Sequence, residues 1–256
     1  MAFRIMWDNK FDAATLAASS AATGFPVANL KHETHLKAWR STVVTSTTVD
    51  ANLTAPQDIK AFFAFYNNLQ AHATSSFNIQ ADNNSDYSSL AVNDEIEITA
   101  AMVASGMIGK FWTTNQTFQY WRELMVDDTP NTYIRQGRIF LGGYFQPTYN
   151  VGAGFPVIED IDPSMILQSP NGQRQANVLV PYKHITYSWN ALPAADIVTL
   201  KTIFAAVGLH HPYFVCEDEA DIAGSVRYVR NVAPWTYTPV RGDDYYAVTI
   251  EVETER

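Results

Sequence analysis

Short stretches of alternating hydrophobic and polar residues dominate the first half of the chain. The clearest are residues 75–82 and 94–100, in which apolar side chains recur at about every second position. This period is typical of β-strands with one buried and one solvated face. Further strands are predicted at 3–7, 37–44, 58–66, 118–126 and 133–145. Six or more short strands joined by loops predict a β-sandwich.

One of these stretches has two interpretations. Residues 58–66 (DIKAFFAFY) contain a continuous apolar run, which fits a buried strand or a short helix because no period is visible. The aromatic residues in the run favour the strand.

The stretch 137–150 (GRIFLGGYFQPTYN) is interpreted as the last strand of the sandwich. Gly142 and Gly143 permit a bulge or tight bend there, and Pro147 ends the strand pairing. We expect the aromatic side chains of this stretch to lie in the core or between domains.

The pattern changes after Pro147. Residues 151–177 contain three prolines and three glycines and show almost no alternation, which predicts an extended connector or arm over residues 148–177. An apolar arm that its own domain does not bury is normally covered by something else, so we expect a neighbouring protein on it. Its apolar residues are Val151, Phe155, Val157, Ile158, Ile161, Met165, Ile166 and Leu167.

The remaining residues, 178–256, predict a smaller α+β domain with one helix packed on a β-sheet. Residues 183–192 (KHITYSWNAL) are interpreted as helical, and helix signals follow them, because Pro193 and Asp196 suit a first turn and Gly208 suits a helix end. Strands are predicted within PYFVCED, SVRYVRNV, WTYTPV and YYAVTIEVE. The apolar face of the helix consists of Ile197, Leu200, Ile203, Phe204 and Val207.

Composition excludes several classes of protein. The 256 residues are 47% hydrophobic, which is enough for a sizeable core. A net charge of −9 with only 17 scattered Lys and Arg residues argues against nucleic acid as a partner. The single cysteine, Cys216, leaves no internal disulfide and no structural zinc site. No apolar run is long enough for a signal peptide or a membrane span, so we expect synthesis in the cytosol and no membrane insertion.

Two acidic clusters are the candidates for chemistry. Such carboxylates can bind calcium or form a pair for glycoside hydrolysis. The alternative, which we favour, is a solvated acidic loop, because neither stretch has the spacing of a calcium-binding loop. The clusters are Glu159, Asp160 and Asp162, and Glu217, Asp218, Glu219 and Asp221.

Three other motifs have structural explanations. His210 and His211 follow a helix end, where positive charge is favoured. Cys216 lies in an apolar strand and is expected to be a small buried hydrophobe. Residues 241–243 (RGD) spell a cell-adhesion tripeptide, but their position between two strands predicts a hairpin turn. We therefore assign no catalytic, cofactor-binding or metal-binding residue, leave the ligand-binding residues unknown, and expect neither a cofactor nor enzymatic activity.

Several motifs occur in a recognisable order along residues 1–147. They are FDAATLAASSAATGFPVANL followed by AWRS, then NNL, SSFNIQAD, FQYWRELMVDD and IRQGRIFLGGYFQP. Their order resembles the galactose-binding-like (discoidin-type) β-sandwich, or jelly roll, of structural proteins in tailed-phage tails. The resemblance implies that Trp39 and Arg40 anchor the sandwich, that 120–122 (YWR) form the core of the penultimate strand, and that 136–142 form the closing strand. At 66–69 the chain reads YNNL where the family often has GHNL.

The resemblance also implies a function. It suggests a structural component of a phage virion at the tail tip or baseplate, in contact with copies of itself and with the tail tube, hub or fibres. The layout of the C-terminal half is similar to the assembly domains of tail proteins. The implied location is the virion, after synthesis in the host cytoplasm. Two alternatives remain open: a carbohydrate-binding module that recognises host-surface glycans, and a glycan-cleaving enzyme.

Overall fold

The computed structural model describes residues 2–71, 74–127, 132–153, 156–168, 171–242 and 244–255. Strands dominate, which confirms the mainly β fold class, and none of the described helices is long and apolar enough to cross a membrane. The strands are β1 (Arg4–Met6), β2 (Thr15–Ala18), β3 (Trp39–Arg40), β4 (Thr47–Phe65), β5 (Ser76–Asp82), β6 (Val92–Ile96), β7 (Met107–Val126), β8 (Arg135–Gln136), β9 (Arg138–Gly142), β10 (Val157–Ile161), β11 (Met165–Gln168), β12 (Arg174–Asn177), β13 (Tyr182–Pro193), β14 (Tyr213–Cys216), β15 (Val226–Asn231), β16 (Thr236–Arg241) and β17 (Tyr245–Thr254). The helices are α1 (Ala100–Ser105), α2 (Ala194–Val207) and α3 (Ile222–Ser225).

The chain forms two compact units. The first consists of Met6–Tyr144 and Cys216–Val226, and the second consists of Met1–Ile5, Phe145–Val215 and Arg227–Arg256. The predicted division into a sandwich at 1–147, a connector at 148–177 and an α+β domain at 178–256 stays a prediction.

Two long antiparallel strands organise the first unit. β4 and β7 pair along most of their length, with a register shift between Asn52 and Gln57. The main sheet has the order β2-β4-β7-β5-β6, and β9 also pairs with β4. β2 pairs with the first part of β4, and β9 pairs with the last part of β4. β3 and β8 form a separate two-stranded sheet.

Alternation along these strands explains the core of the first unit. Trp121 and Met125 on β7 and Phe77 and Ile79 on β5 are buried, as are other side chains at every second position. They join one hydrophobic cluster with residues of β4, β6 and β9. Burial of apolar surface at about 25 cal/mol per Å² makes this cluster the main stabilising element of the unit.

The second unit is a sheet with one helix on it. The strand order is β1-β14-β15-β17-β13-β10, and β16 pairs with β17. α2 contacts β13 and β17 with a face that includes buried Leu200 and Ile203. Pro193 precedes the helix, and the Gly208 N–H donates to the Phe204 main-chain oxygen at 2.7 Å. The predicted limits of this helix and its position on a sheet are confirmed.

Residues 183–192 form a strand, and the helix prediction for them was wrong. They lie in β13, where Ile185, Tyr187 and Trp189 are buried and the residues between them are partly exposed. A period of two buries one face of a strand but cannot bury one face of a helix. The antiparallel pairing of β13 with β17 uses this alternation.

Other predicted strands have different limits. The strand predicted at 37–44 is reduced to Trp39–Arg40. The strand predicted at 94–100 is β6, which ends at Ile96, and α1 begins four residues later. Thr99 caps α1, because its hydroxyl oxygen accepts a hydrogen bond from the Met102 N–H at 3.3 Å. The last residues of the predicted strand therefore lead into a helix instead of continuing the strand.

The segment predicted to be an extended connector contains three strands. β10 pairs with β13, from Val157↔Thr186 to Ile161↔Tyr182, and so belongs to the large sheet. β11 and β12 form a separate two-stranded sheet. Phe155, one of the apolar residues expected in the arm, lies outside the described residues.

Candidate functional site

Three segments that are distant in sequence enclose a cleft of about 460 Å³ in the first unit. This volume is within the usual range of small-molecule binding sites. The cleft is lined by Trp7, Asp8, Lys10, Pro56, Gln57, Asp58, Gly143 and Tyr144.

Residues 7–10 form the first wall, and Asn9 attaches them to β9. The Asn9 side-chain amide donates to the Ile139 main-chain oxygen at 2.8 Å, and the Leu141 N–H donates to Asn9 Oδ1 at 2.9 Å. One side chain therefore makes two hydrogen bonds of the kind that strand pairing normally supplies. Lys10 forms an ion pair with Asp8, which brings opposite charges together at this wall.

Gly142 lets this wall lie directly against β9. A Cβ atom at Gly142 would be 2.3 Å from the main-chain oxygen of Asp8, closer than any real contact. At Gly143 a Cβ atom would meet nothing within 4 Å. The glycine pair was expected to permit a bulge or bend. In the structure, Gly142 allows two backbone segments to lie close together.

The second wall, residues 56–58, lies at an interruption in β4. Pairing with β7 stops at Asn52 and resumes at Gln57. Within the interruption Thr54 has a φ of 67°, and its N–H donates to Asn52 Oδ1 at 2.8 Å. This irregular backbone places residues 56–58 at the cleft rather than in a regular part of the strand pair.

Asp58 is held in place by β7. Asn115 Nδ2 donates to Asp58 Oδ2 at 3.0 Å, and the Thr117 hydroxyl donates to Asp58 Oδ1. A carboxylate offers about four lone-pair sites, so each oxygen can accept a further hydrogen bond. Asp58 is therefore an oriented acceptor at the edge of the cleft.

Tyr144 supplies an aromatic ring to the third side of the cleft. Its ring meets that of Phe111 edge-on, with centroids 5.5 Å apart, and Lys60 Nζ lies 5.7 Å from the ring centroid. Both contacts are favourable because the face of the ring is electron-rich and the edge is electron-poor. Tyr144, which was expected in the core or between domains, lines this cleft instead. Together with Trp7 it gives the cleft two partly exposed aromatic surfaces.

The two acidic clusters predicted from sequence lie elsewhere and are engaged locally. Asp160 forms an ion pair with Lys183 at 3.2 Å, and Asp162 accepts a hydrogen bond from the Ser164 N–H at 2.9 Å. Asp221 caps α3 by accepting from the Gly224 N–H at 3.0 Å. Within the described ranges, no three His, Cys, Asp or Glu side chains are grouped so that they could hold a metal ion.

His210, His211 and Cys216 do not line the cleft. His210 and His211 are exposed after α2, with ring centroids 4.2 Å apart. The His211 N–H donates to the Val207 main-chain oxygen at 3.0 Å. Cys216 is buried at the end of β14, as expected, with its sulfur 3.5 Å from the Ser225 hydroxyl oxygen.

The tripeptide at 241–243 begins with the last residue of a strand that pairs with the next strand. β16 ends at Arg241, which pairs with Tyr245 of β17, and Gly242 has a φ of 56°. The predicted hairpin is therefore confirmed, while Asp243 itself lies outside the described residues.

The residues that the family resemblance singled out belong to the core and its edges. Trp39 is fully buried, and its indole N–H donates to the Ser20 main-chain oxygen at 3.1 Å. Arg40 lies over the ring of Tyr133, with its Cζ 3.4 Å from the ring centroid. Trp121 is buried in the cluster. None of these residues lines the cleft.

None of the residues that line the cleft was predicted from the sequence as a site residue. Residues 7–10, 56–58 and 143–144 are each too short to form a motif, and more than 40 positions separate each segment from the next. The available signals were the polar run Asp8–Lys10 directly after a strand and a tyrosine directly after a glycine pair.

No protein-family profile and no curated protein matches the sequence. Among solved structures, chitosan-binding module 1 of a chitosanase/glucanase from Paenibacillus sp. IK-5 is 20% identical, with 53% of this chain and 99% of that chain covered and a TM-score of 0.41. A fucose-binding module of Streptococcus pneumoniae is 12% identical, with coverages of 54% and 99% and a TM-score of 0.43. The family 32 carbohydrate-binding module of Clostridium perfringens NanJ, in complex with galactose, is 10% identical, with coverages of 56% and 99% and a TM-score of 0.41.

Proposed function

We propose that this protein is a carbohydrate-binding protein and that the cleft formed by 7–10, 56–58 and 143–144 is its glycan site. One observation carries the proposal: two aromatic rings, two carboxylates and an ammonium group line a single cleft of about 460 Å³. A cleft of this size accommodates one or two sugar rings.

The chemistry of the lining matches the chemistry of a sugar. A sugar ring has faces of C–H groups, which pack against the flat, apolar surface of Trp7 or Tyr144. Its hydroxyl groups donate hydrogen bonds to carboxylates such as Asp8 and Asp58, and they accept them from the ammonium group of Lys10. Because Asn115 and Thr117 already orient Asp58, less side-chain entropy is lost on binding.

Replacing Tyr144 tests the proposal. Tyr144→Ala removes one of the two aromatic surfaces and should weaken glycan binding at least tenfold, which corresponds to about 1.4 kcal/mol. Candidate oligosaccharides are selected on a glycan array with the wild-type protein, and their affinities are then measured by calorimetry. Tyr149→Ala is the matched control, because Tyr149 is 50% exposed and does not line the cleft.

Two results would contradict the proposal. One is the absence of glycan binding by the wild-type protein, and the other is equal affinity in Tyr144→Ala and Tyr149→Ala. The proposal includes binding without catalysis, so the oligosaccharide should be recovered uncleaved after incubation. The structural role in a phage tail, with tube, hub or fibre proteins as partners and the virion as location, rests on the sequence resemblance alone and stays a prediction.

A further inference from the structure

β11 and the residues that follow β12 expose a large amount of apolar surface. We call residues 165–168 and 174–180 the apolar arm. Large exposed apolar patches usually mark interaction surfaces. The exposed fractions are 57% for Met165, 69% for Ile166, 59% for Leu167, 78% for Val178, 41% for Leu179 and 65% for Val180.

In the arm, β11 and β12 form an antiparallel pair with open strand edges. Met165 pairs with Asn177 and Gln168 pairs with Arg174, and the Leu179 N–H donates to the Ser164 hydroxyl oxygen at 2.9 Å near its base. In the part of the chain that the structure describes, β11 and β12 each have one neighbouring strand. An edge of this kind is a template for pairing with another strand.

We propose that β11 pairs antiparallel with β11 of a second copy of this protein, which gives a dimer with two-fold symmetry. The two hairpins then form one four-stranded sheet in the order β12-β11-β11-β12. This pairing is centred on Ile166, which lies opposite Ile166 of the second copy, and Met165 lies opposite Leu167, so that apolar side chains meet across the strands. A two-fold interface uses the same surface on both copies, and a strand that pairs with itself meets this condition.

Charge favours a second copy at this surface. The protein has a net charge of −9, yet Arg174 is the only charged residue in the apolar arm. Two acidic molecules can therefore approach through the arm without bringing carboxylates together. β10 is another edge strand, but antiparallel pairing about its middle residue would place Glu159 opposite Glu159 of the second copy.

The exposed area is of the size that protein interfaces bury. Six aliphatic side chains at these exposures leave on the order of 400–600 Å² of apolar surface in water. A stable interface buries about 800 Å² on each partner, of which somewhat more than half is apolar. Pairing of β11 with β11 covers the share of Met165, Ile166 and Leu167, because residues 178–180 follow β12 on the outer side of the four-stranded sheet.

Sedimentation velocity across a range of micromolar concentrations tests the dimer. The wild-type protein should sediment as a dimer that dissociates on dilution. Ile166→Asp should sediment as a monomer, because it places a carboxylate on each side of the two-fold strand pair. Val198→Asp is the control and should remain dimeric, because Val198 is 67% exposed on α2, away from the arm. Far-UV circular dichroism checks that both variants are folded.

Hydrogen exchange provides a second measurement that needs no variant. The amides of 165–168 should exchange more slowly at concentrations where the dimer forms than after dilution. A wild-type protein that stays monomeric, an Ile166→Asp variant that still dimerises, or unchanged exchange at 165–168 would overturn the proposal. A larger assembly would overturn it too, since pairing of β11 with itself closes after two copies.

Discussion

At the scale of single residues, Glu123 is notable as a carboxylic acid in the hydrophobic core. It lies on β7 opposite Val49 of β4 and Ile79 of β5, and it is 4% exposed. Burial raises its pKa to about 8, although a hydrogen bond from Gln136 Nε2 to its Oε2 at 2.9 Å acts in the opposite direction. Glu123 is therefore mostly neutral at pH 7.

The neutral form of Glu123 completes a pair with Gln136. Among the described residues, neither Glu123 Oε1 nor Gln136 Oε1 has a hydrogen-bond partner. A proton on Glu123 Oε1 supplies the donor that the amide oxygen of Gln136 lacks. We therefore expect the acid and the amide to exchange two hydrogen bonds, so that no charge is buried in the core.

This pair predicts that stability falls as the pH rises. Below pH 4.5, the ordinary pKa, the group is protonated in both the folded and the unfolded chain, so its contribution is fully present. At higher pH the unfolded chain ionises first, and the contribution is lost as the pH rises through about 8. The loss is at most about 1.4 kcal/mol per pH unit. Urea denaturation at a series of pH values measures it.

Glu123→Gln should remove this pH dependence, because its amide can donate to Gln136 Oε1 without titrating. Its free energy of unfolding should exceed that of the wild type at pH 8. Glu95→Gln is the control, since Glu95 is exposed on β6, and it should keep the wild-type pH profile. Equal slopes for Glu123→Gln and the wild type would show that the buried pair does not cause the effect.

At the scale of elements, the pairing of β4 and β7 depends on Gly109. A Cβ atom there would lie 2.1 Å from the ring of Phe63, its partner on β4, and 2.8 Å from the Phe62 main-chain oxygen. Phe63 is fully buried and cannot move away. Gly109→Ala should therefore lower the free energy of unfolding by about 1–3 kcal/mol, measured by urea denaturation.

Gly143→Ala is the matched control for this substitution. A Cβ atom at Gly143 meets nothing within 4 Å, so the free energy of unfolding should change by no more than about 0.5 kcal/mol. If the two alanine variants unfold at the same urea concentration, a Cβ atom at position 109 does not destabilise the pairing of β4 with β7.

Elements were predictable where their signals are local. α2 was predicted because Pro193, Gly208 and the apolar face between them are all contained in one short stretch. The sequence of β13 also has a period of two. The helix signals of α2 follow it directly, and they favoured a helix over 183–192 as well. The full lengths of β4 and β7 depend on partners far along the chain, and no local pattern marks them.

The candidate site was not predictable for the same physical reason. Residues 7–10 reach β9 through the two hydrogen bonds of Asn9 and the missing side chain of Gly142. Residues 56–58 reach the cleft through the interruption of β4. These contacts join parts of the chain that carry no common sequence signal, so they become visible only in the folded structure.

At the scale of the whole molecule, the two units can be tested for independent folding. Every buried member of the hydrophobic cluster in the first unit lies between Phe11 and Leu141. The segment Cys216–Val226 also belongs to this unit, but it contributes no residue to that cluster. A fragment of residues 1–147 would therefore keep the whole cluster while losing the contacts of α3 with α1 and β7.

We expect the fragment 1–147 to fold, with a lower melting temperature than the intact chain because the contacts of α3 are lost. Its far-UV circular dichroism should show β-structure with a cooperative thermal transition. The control fragment 1–134 lacks β8 and β9, and with β9 it loses Ile139 and Leu141 from the cluster and a strand that pairs with β4. It should not fold. A random-coil spectrum for 1–147, or equally cooperative melting of 1–134, would show that the first 147 residues are not the folding unit.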